Sequence, residues 1–135
     1  MIAESQGVQF INDSKATNIH AMVSAINSFS DQDIVLVAGG KNKGISYVGA
    51  AAVVSKNVNS VVLFGENKFQ VSKDLESSLK CHTAKDMDEA VRTAVGLTNG
   101  SGVVLFSPGT SSFDMFKGYE DRGEAFKNSV TRLIT

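Results

Sequence analysis

Three short stretches of this sequence are rich in lysine, hydroxyl or glycine residues, and each follows an apolar run of strand length. They read NDSKATN at residues 12–18, GGKNKG at 39–44 and SPGTSS at 107–112. Lysine side chains, hydroxyls and the free backbone N–H groups at a helix start all bind anions, so the stretches together suit phosphate, carboxylate or both. Taken singly, each has a plainer explanation as a glycine turn, a polar turn or a helix cap.

Lys15 is the least expected residue of the first stretch. A helix is predicted to follow, and the positive N-terminal end of a helix repels a cation. An anion bound at the helix start would make a lysine favourable there. Asp13 has two interpretations, as a ligand-binding group or as the helix cap. In the second stretch Lys43 also precedes a predicted helix start, whereas Lys41 is better explained as a solvated surface lysine.

Apolar runs of strand length alternate with stretches of helical spacing along the whole chain. The predicted strands are residues 8–11, 34–38, 61–64 and 103–106, with a weaker one at 80–83. The predicted helices are 18–29, 47–57, 67–79, 86–97 and 120–134. The strands are nearly continuous in apolar residues, which is typical of strands buried on both faces. The pattern predicts an α/β fold, a single Rossmann-like three-layer domain with a mostly parallel sheet and helices on both faces.

This fold would bring the three polar stretches together, because ligands of such sheets bind beyond the carboxyl ends of the strands. Each stretch follows a predicted strand, so all three are expected at one edge of the sheet. The segment MIAESQG before the first predicted strand has no helix or strand pattern. It is expected to be linker-like, which suggests that the chain is one domain of a longer protein.

Composition and charge exclude several classes of function. The chain has 135 residues, a formal net charge of −1 and no block of like charges, so neither nucleic acid nor a membrane surface is an expected partner. A single cysteine, Cys81, excludes an internal disulfide and fits a reducing compartment, and we expect a cytoplasmic monomer. His20 and His82 are isolated, so no metal site is predicted. No Walker or dinucleotide motif is complete, so most of any nucleotide-binding apparatus would lie outside this chain.

The three stretches and their flanks resemble the C-terminal domain of the Mur ligases in order and spacing, over nearly the whole chain. The matching segments are GVQFINDSKATN, VLVAGGKNKG and FSPGTSSFDMFKGYEDRGEAF. The likeness is strongest to the members that add D-glutamate to UDP-N-acetylmuramoyl-L-alanine in peptidoglycan synthesis, which cell-wall growth and division require. The resemblance implies an ATP-dependent amide-forming ligase, in which a carboxylate is phosphorylated to an acyl phosphate that the incoming amine attacks.

The resemblance also implies a division of labour between domains. Residues 1–135 would be the amino-acid-binding domain, and the N-terminal and central ATPase domains would be absent from this chain. ATP and Mg²⁺ would be bound mainly by the central domain. The isolated chain is therefore expected to fold but to be inactive.

Site roles follow from the resemblance position by position. Thr17 and Lys43 would hold one carboxylate of D-glutamate. Ser112, with backbone groups around Phe113 and Tyr119, would hold the side-chain carboxylate.

Two further residues are implied on the nucleotide side. Lys15 would be the catalytic residue that faces the phosphoryl group in transfer, and Asp13 would contact the ribose of ATP. Two alternatives stay open: another Mur-type amino-acid ligase domain, and a freestanding anion-binding α/β module without catalysis.

Overall fold

The computed structural model describes residues 3–41, 44, 46–75, 81–98, 100–110 and 118–134. From residue 8 onward in this part of the chain, strands and helices alternate as predicted. The elements are β1 (Ala3–Ser5), β2 (Val8–Asn12), α1 (Ile19–Ser28), β3 (Ile34–Ala38), a 3-10 turn (Val48–Ala50), α2 (Ala51–Asn57), β4 (Ser60–Leu63), α3 (Lys68–Leu75), β5 (Cys81–Thr83), α4 (Met87–Gly96), β6 (Gly102–Phe106) and α5 (Tyr119–Ile134).

One sheet of six strands runs through the described residues in the order β1-β2-β6-β3-β4-β5. The pairs β2–β6, β6–β3, β3–β4 and β4–β5 are parallel, and only β1 is antiparallel to its neighbour. The carboxyl ends of β2 to β6 therefore lie at the same edge. The predicted mostly parallel α/β sheet is confirmed.

The expectation that MIAESQG contains no strand is wrong. Ala3–Ser5 form β1, and Ser5 pairs with Val8 across a two-residue turn. Both turn residues have positive φ, 52° for Gln6 and 86° for Gly7, which is the geometry that suits the twist of a hairpin. The strand was missed because it is short and has no apolar run. It forms because it pairs with the backbone of β2, which would otherwise be an open sheet edge.

Helices cover both faces of the sheet and build two separate cores. On one face, α4 and α5 pack on side chains that point that way from the central strands, namely Phe10, Val35, Val37, Val62, Val104 and Phe106. On the other face, α1, α2 and α3 pack on the alternate side chains, namely Ile34, Leu36, Ala38, Val61, Leu63, Val103 and Leu105. All five residues of β3 are buried, as expected of a central strand between two helix layers.

Helix ends agree with the predicted ones to within a few residues. Asn18 caps α1 by accepting from the Ala21 N–H at 2.8 Å. Asp86 caps α4 by accepting from the Glu89 N–H at 2.9 Å. The predicted helix 47–57 begins as the 3-10 turn, and the predicted end of helix 67–79 lies outside the described residues. No helix within the described ranges is long and apolar enough to cross a membrane.

Candidate functional site

Three loops leave the carboxyl edge of the sheet at neighbouring strands. They are the β2 loop (residues 13–18), the β3 loop (39–47) and the β6 loop (107–118), of which residues 42, 43, 45 and 111–117 lie outside the described part. Hydrogen bonds between their described parts include Gly39 N–H to the Pro108 carbonyl (3.1 Å), Gly109 N–H to the Ala16 carbonyl (2.9 Å), and the Thr110 hydroxyl to the Lys41 carbonyl (3.0 Å). The described parts of the loops are therefore in direct contact, as the sequence predicted.

Lys15 is exposed, and it is not in the first turn of α1. The cap of that helix is Asn18, three residues further along the chain. The field of a helix dipole falls off within its first turn, so the expectation that Lys15 opposes the dipole at the helix start is wrong. Lys15 instead lies in a tight turn, closed by a bond from the Ala16 N–H to the Asp13 carbonyl at 3.0 Å.

Asp13 links the β2 loop to the β6 loop. Its carboxylate accepts from the Ser107 hydroxyl at 3.0 Å, and its own N–H donates to the Phe106 carbonyl at 2.8 Å. Burial raises the pKa of the Asp13 carboxyl above its ordinary value, while the Ser107 hydrogen bond and the charge of Lys15 offset part of that rise. Because Asn18 caps the helix, the alternative that Asp13 is the cap is excluded.

Two grooves meet at Lys15. The larger, of about 520 Å³, lies between the end of β2 and helix α1, and Asp13 and Lys15 belong to its polar lining. Its apolar lining is Ile11, Ala16, Ala21, Ala25, Phe29 and Leu105. The smaller, of about 390 Å³, is lined by Lys15 together with Tyr119, Glu120 and Glu124 of α5. A ligand with an apolar ring, hydroxyls and an anionic group would fit the larger groove, since apolar wall, carboxylate and cation all line it.

Tyr47 ties the β3 loop to the β6 loop from inside the protein. Its side chain is fully buried, and its hydroxyl donates to the Pro108 carbonyl at 2.7 Å. The buried Asn67 completes the link, because its amide donates to the Tyr47 oxygen at 3.4 Å and accepts from the Gly40 N–H at 2.9 Å. Burial raises the pKa of Tyr47 to about 12, so the hydroxyl stays a donor at any physiological pH.

Gly39 has to be glycine for this arrangement to form. Its backbone φ is 109°, a value that residues other than glycine rarely adopt. A Cβ at this position would also collide with the Phe64 carbonyl oxygen. The β3 loop can thus leave the sheet close against the end of β4.

Arg122 ties the β2 loop to α5. The residue is only 1% exposed, and its guanidinium donates to the Ser14 carbonyl at 2.7 Å and to the Ser14 hydroxyl at 3.2 Å. The Ser14 hydroxyl donates in turn to the Tyr119 carbonyl at 2.6 Å. Next to it the Asn12 amide donates to the Gly123 carbonyl at 3.0 Å, so α5 is attached at several points to the segment that carries Asp13 and Lys15.

Comparison with known proteins identifies the family of this chain. Residues 1–109 match the family described as Mur ligase, glutamate ligase domain. The chain belongs to that family. The resemblance to the Mur ligases is thereby confirmed.

Three of its relatives carry the same name. UDP-N-acetylmuramoylalanine--D-glutamate ligase of Geobacter sp. (strain M21) is 47% identical over 130 residues, which are 96% of this chain and 28% of the relative. The protein of the same name from Geobacter metallireducens is 44% identical over 100% of this chain and 29% of its own length. The one from Aquifex aeolicus is 40% identical over 96% of this chain and 31% of its own length. The chain thus spans less than a third of each of these relatives.

The structure of this Mur ligase domain brings together some of the residues that the sequence singled out. Asp13, Lys15 and half-buried Thr17 share the β2 loop, and Tyr119 begins α5 beside that loop. Lys43, Ser112 and Phe113 lie outside the described residues. The binding and catalytic roles of all the singled-out residues stay predictions. Among the described residues, no group of three or more His, Cys, Asp or Glu side chains is placed to hold a metal ion.

Sequence reasoning missed Arg122 and Asn67. A signal for Arg122 was present, because it lies four residues before Phe126 and eight before Val130, on the apolar stripe of α5. An arginine on such a stripe needs buried acceptors, and a search for them would have pointed to a loop at the end of a strand. Asn67 had no comparable signal, since it lies just before α3 rather than on the apolar stripe of a helix.

Proposed function

We propose that the full-length protein containing this chain is a cytoplasmic, monomeric, ATP-dependent ligase that adds D-glutamate to UDP-N-acetylmuramoyl-L-alanine in peptidoglycan synthesis. Residues 1–135 are its D-glutamate-binding domain, and the remainder of the protein binds most of ATP and Mg²⁺. The family membership and the names of relatives that align with nearly all of the chain support this proposal.

One structural observation carries the proposal furthest: Lys15 and Asp13 line one groove, on a loop hydrogen-bonded to the β6 loop, which is hydrogen-bonded in turn to the β3 loop. D-Glutamate has two carboxylates, and the transferred phosphoryl group adds a third anionic centre. Several anion-binding loops held in contact suit such a set of charges better than a single loop would. Thr17 and Lys43 hold one carboxylate of D-glutamate, and Ser112 with backbone groups of Phe113 and Tyr119 holds the other.

The described residues also fit the part of ATP assigned to them. Asp13 offers a carboxylate oxygen that can accept from a ribose hydroxyl, the groove supplies an apolar wall, and Lys15 supplies an exposed cation. When bound, ATP supplies the phosphoryl group that turns the carboxylate of the precursor into an acyl phosphate. Lys15 stabilises the negative charge that develops during that transfer, which lowers the barrier more than it tightens ground-state binding.

The test is an assay of the full-length protein with ATP, Mg²⁺, UDP-N-acetylmuramoyl-L-alanine and a panel of amino acids, with phosphate release and product mass as readouts. We expect turnover with D-glutamate and none with L-glutamate, L-alanine or diaminopimelate. Turnover with a different amino acid would favour another Mur-type ligase. Absence of turnover with every amino acid, from a folded protein, would favour the freestanding anion-binding module.

A further inference from the structure

We propose that Arg122 is a positioning residue of the ligase reaction, which acts by fixing the β2 loop so that Lys15 meets the transferred phosphoryl group. The inference rests on the proposed function and on the role of Lys15 in it. Arg122 itself is 1% exposed, so it does not touch substrate.

The contacts of Arg122 are directed at the residue next to Lys15. Two guanidinium nitrogens donate to Ser14, one to its carbonyl and one to its hydroxyl, at 2.7 and 3.2 Å. The Ser14 N–H bonds to the Asn12 side chain at 3.2 Å, and the Ser14 hydroxyl donates to Tyr119. The backbone on the N-terminal side of Lys15 is therefore held through three polar groups of a single serine.

Close packing leaves this loop no room to shift toward α5. A Cβ on Gly123 would lie 3.1 Å from the Ser14 Cβ and 3.2 Å from the Asn12 amide nitrogen, so the helix backbone itself fills the space beside the loop. Arg122 also stacks near Phe106 at the end of β6, 5.8 Å from the ring centre, which joins the guanidinium to the rigid sheet. Lys15 is thus an exposed side chain on a loop that is held in place by α5 and the sheet.

Burying an arginine costs desolvation free energy, so stability alone does not explain Arg122. Replacing a whole buried ion pair by apolar side chains of similar volume is often neutral or stabilising, so a buried charge is weak evidence for a stabilising role. The planar fork of arginine, however, can hold two acceptors of one residue in a set direction, which an apolar side chain cannot do. This points to geometry of the β2 loop, rather than stability, as what Arg122 contributes.

The test is a double-mutant cycle in the full-length enzyme with Arg122→Met, Lys15→Ala and the combination. Methionine keeps an unbranched apolar stem and removes the charge and the donors. Arg122→Met is expected to lower kcat by roughly a hundredfold, the scale of a 1 Å misplacement, with the KM for D-glutamate little changed. In the Lys15→Ala background the same change should lower kcat less than about twofold, because the group it positions is gone. Incorporation of radiolabelled D-glutamate measures the slow variants.

Three further variants keep the result interpretable. Arg132→Met changes the other arginine of α5, which is exposed and paired with Asp88 at 2.6 Å, and should leave kcat unchanged. Arg122→Lys keeps the cation but not the fork and should recover only part of the rate. If Arg122→Met does not fold, Ser14→Ala decides the question, since it removes the hydroxyl that bonds Arg122 and leaves the backbone carbonyl. Its loss of kcat should likewise vanish in the Lys15→Ala background.

Additive losses from Arg122→Met and Lys15→Ala would overturn the inference, because a direct field effect or a general loss of structure would persist without Lys15. Normal turnover by Lys15→Ala would also overturn it, while D-glutamate-dependent turnover by the unmodified enzyme would leave the ligase proposal standing. An unmodified enzyme that does not use D-glutamate would instead contradict the proposed function itself.

Discussion

The link between Tyr47, Pro108 and Asn67 gives a stability prediction with a defined pH dependence. Tyr47→Phe removes one buried hydroxyl and leaves the ring in place. The Pro108 carbonyl keeps its second donor, the Gly39 N–H at 3.1 Å, so it is not left unpaired. The Asn67 amide loses a long bond of 3.4 Å, which adds a modest penalty for a buried donor. Losing one hydrogen bond and part of another should lower the free energy of unfolding by about 1–2 kcal/mol.

The measurement is thermal and urea unfolding of the purified 135-residue chain. A loss of that size should lower the Tm by about 3.5–7 °C for a domain of this length. Tyr119→Phe is the matched control, because it removes a hydroxyl from a side chain that is 45% exposed, and it should change stability by less than about 0.5 kcal/mol. Equal stability of Tyr47→Phe and the unmodified chain would refute the proposed link between the loops.

The same variant tests the raised pKa of Tyr47. Burial raises the folded-state pKa to about 12 from an ordinary value of 10.0, so the folded protein favours the protonated phenol. The hydroxyl's contribution is fully present below pH 10 and declines as the pH rises toward 12, because the unfolded chain then ionises first. The stability difference between the two chains should therefore stay constant from neutral pH to about 10 and shrink above it. A difference that grows above pH 10 would contradict the sign of this argument.

The other predictions concern the lysines and the isolated chain. Lys15→Ala should change the free energy of unfolding of the isolated domain by less than about 0.5 kcal/mol, since the side chain is exposed. The same change should strongly lower turnover of the full-length ligase at saturating substrates. A destabilised domain with near-normal turnover would make Lys15 structural. Lys43→Ala should raise the KM for D-glutamate about tenfold to a hundredfold by removing a charge-assisted bond; a raised KM for ATP alone would contradict that role. The 135-residue chain should fold but hydrolyse no ATP with Mg²⁺, and turnover by the pure chain would disprove this.

The sheet could be predicted from sequence because its central strands are buried on both faces. The five apolar residues of β3 and the run in β6 leave little choice of structure, and the helices between them require parallel pairing. β1 could not be predicted in the same way. Its three residues, Ala-Glu-Ser, have no pattern of their own, and the strand exists only because β2 offers a free edge.

The helix cap shows where local sequence is insufficient. Asn12, Asp13, Ser14, Thr17 and Asn18 can all cap a helix chemically, so the sequence leaves the start of α1 open. Tertiary contacts decide the matter. The Asp13 carboxylate accepts a hydrogen bond from the Ser107 hydroxyl. The side chains of Asn12 and Ser14 donate hydrogen bonds to backbone carbonyls of α5. Of this set, Asn18 is the residue whose side chain accepts from the helix N–H.

The same contacts separate what stabilises the site from what reacts in it. Tyr47, Asn67 and Arg122 are buried and join loops to one another or to a helix, and each bonds partners distant in sequence. Lys15 is exposed on the segment that Arg122 holds. The side chain of a cation that contacts a substrate has to stay free of hydrogen bonds within the protein. The position of that cation must therefore be set by the backbone of the loop that carries it. Changes to Tyr47 should therefore lower stability, changes to Arg122 should lower the rate by displacing the loop that carries Lys15, and changes to Lys15 should alter rate alone.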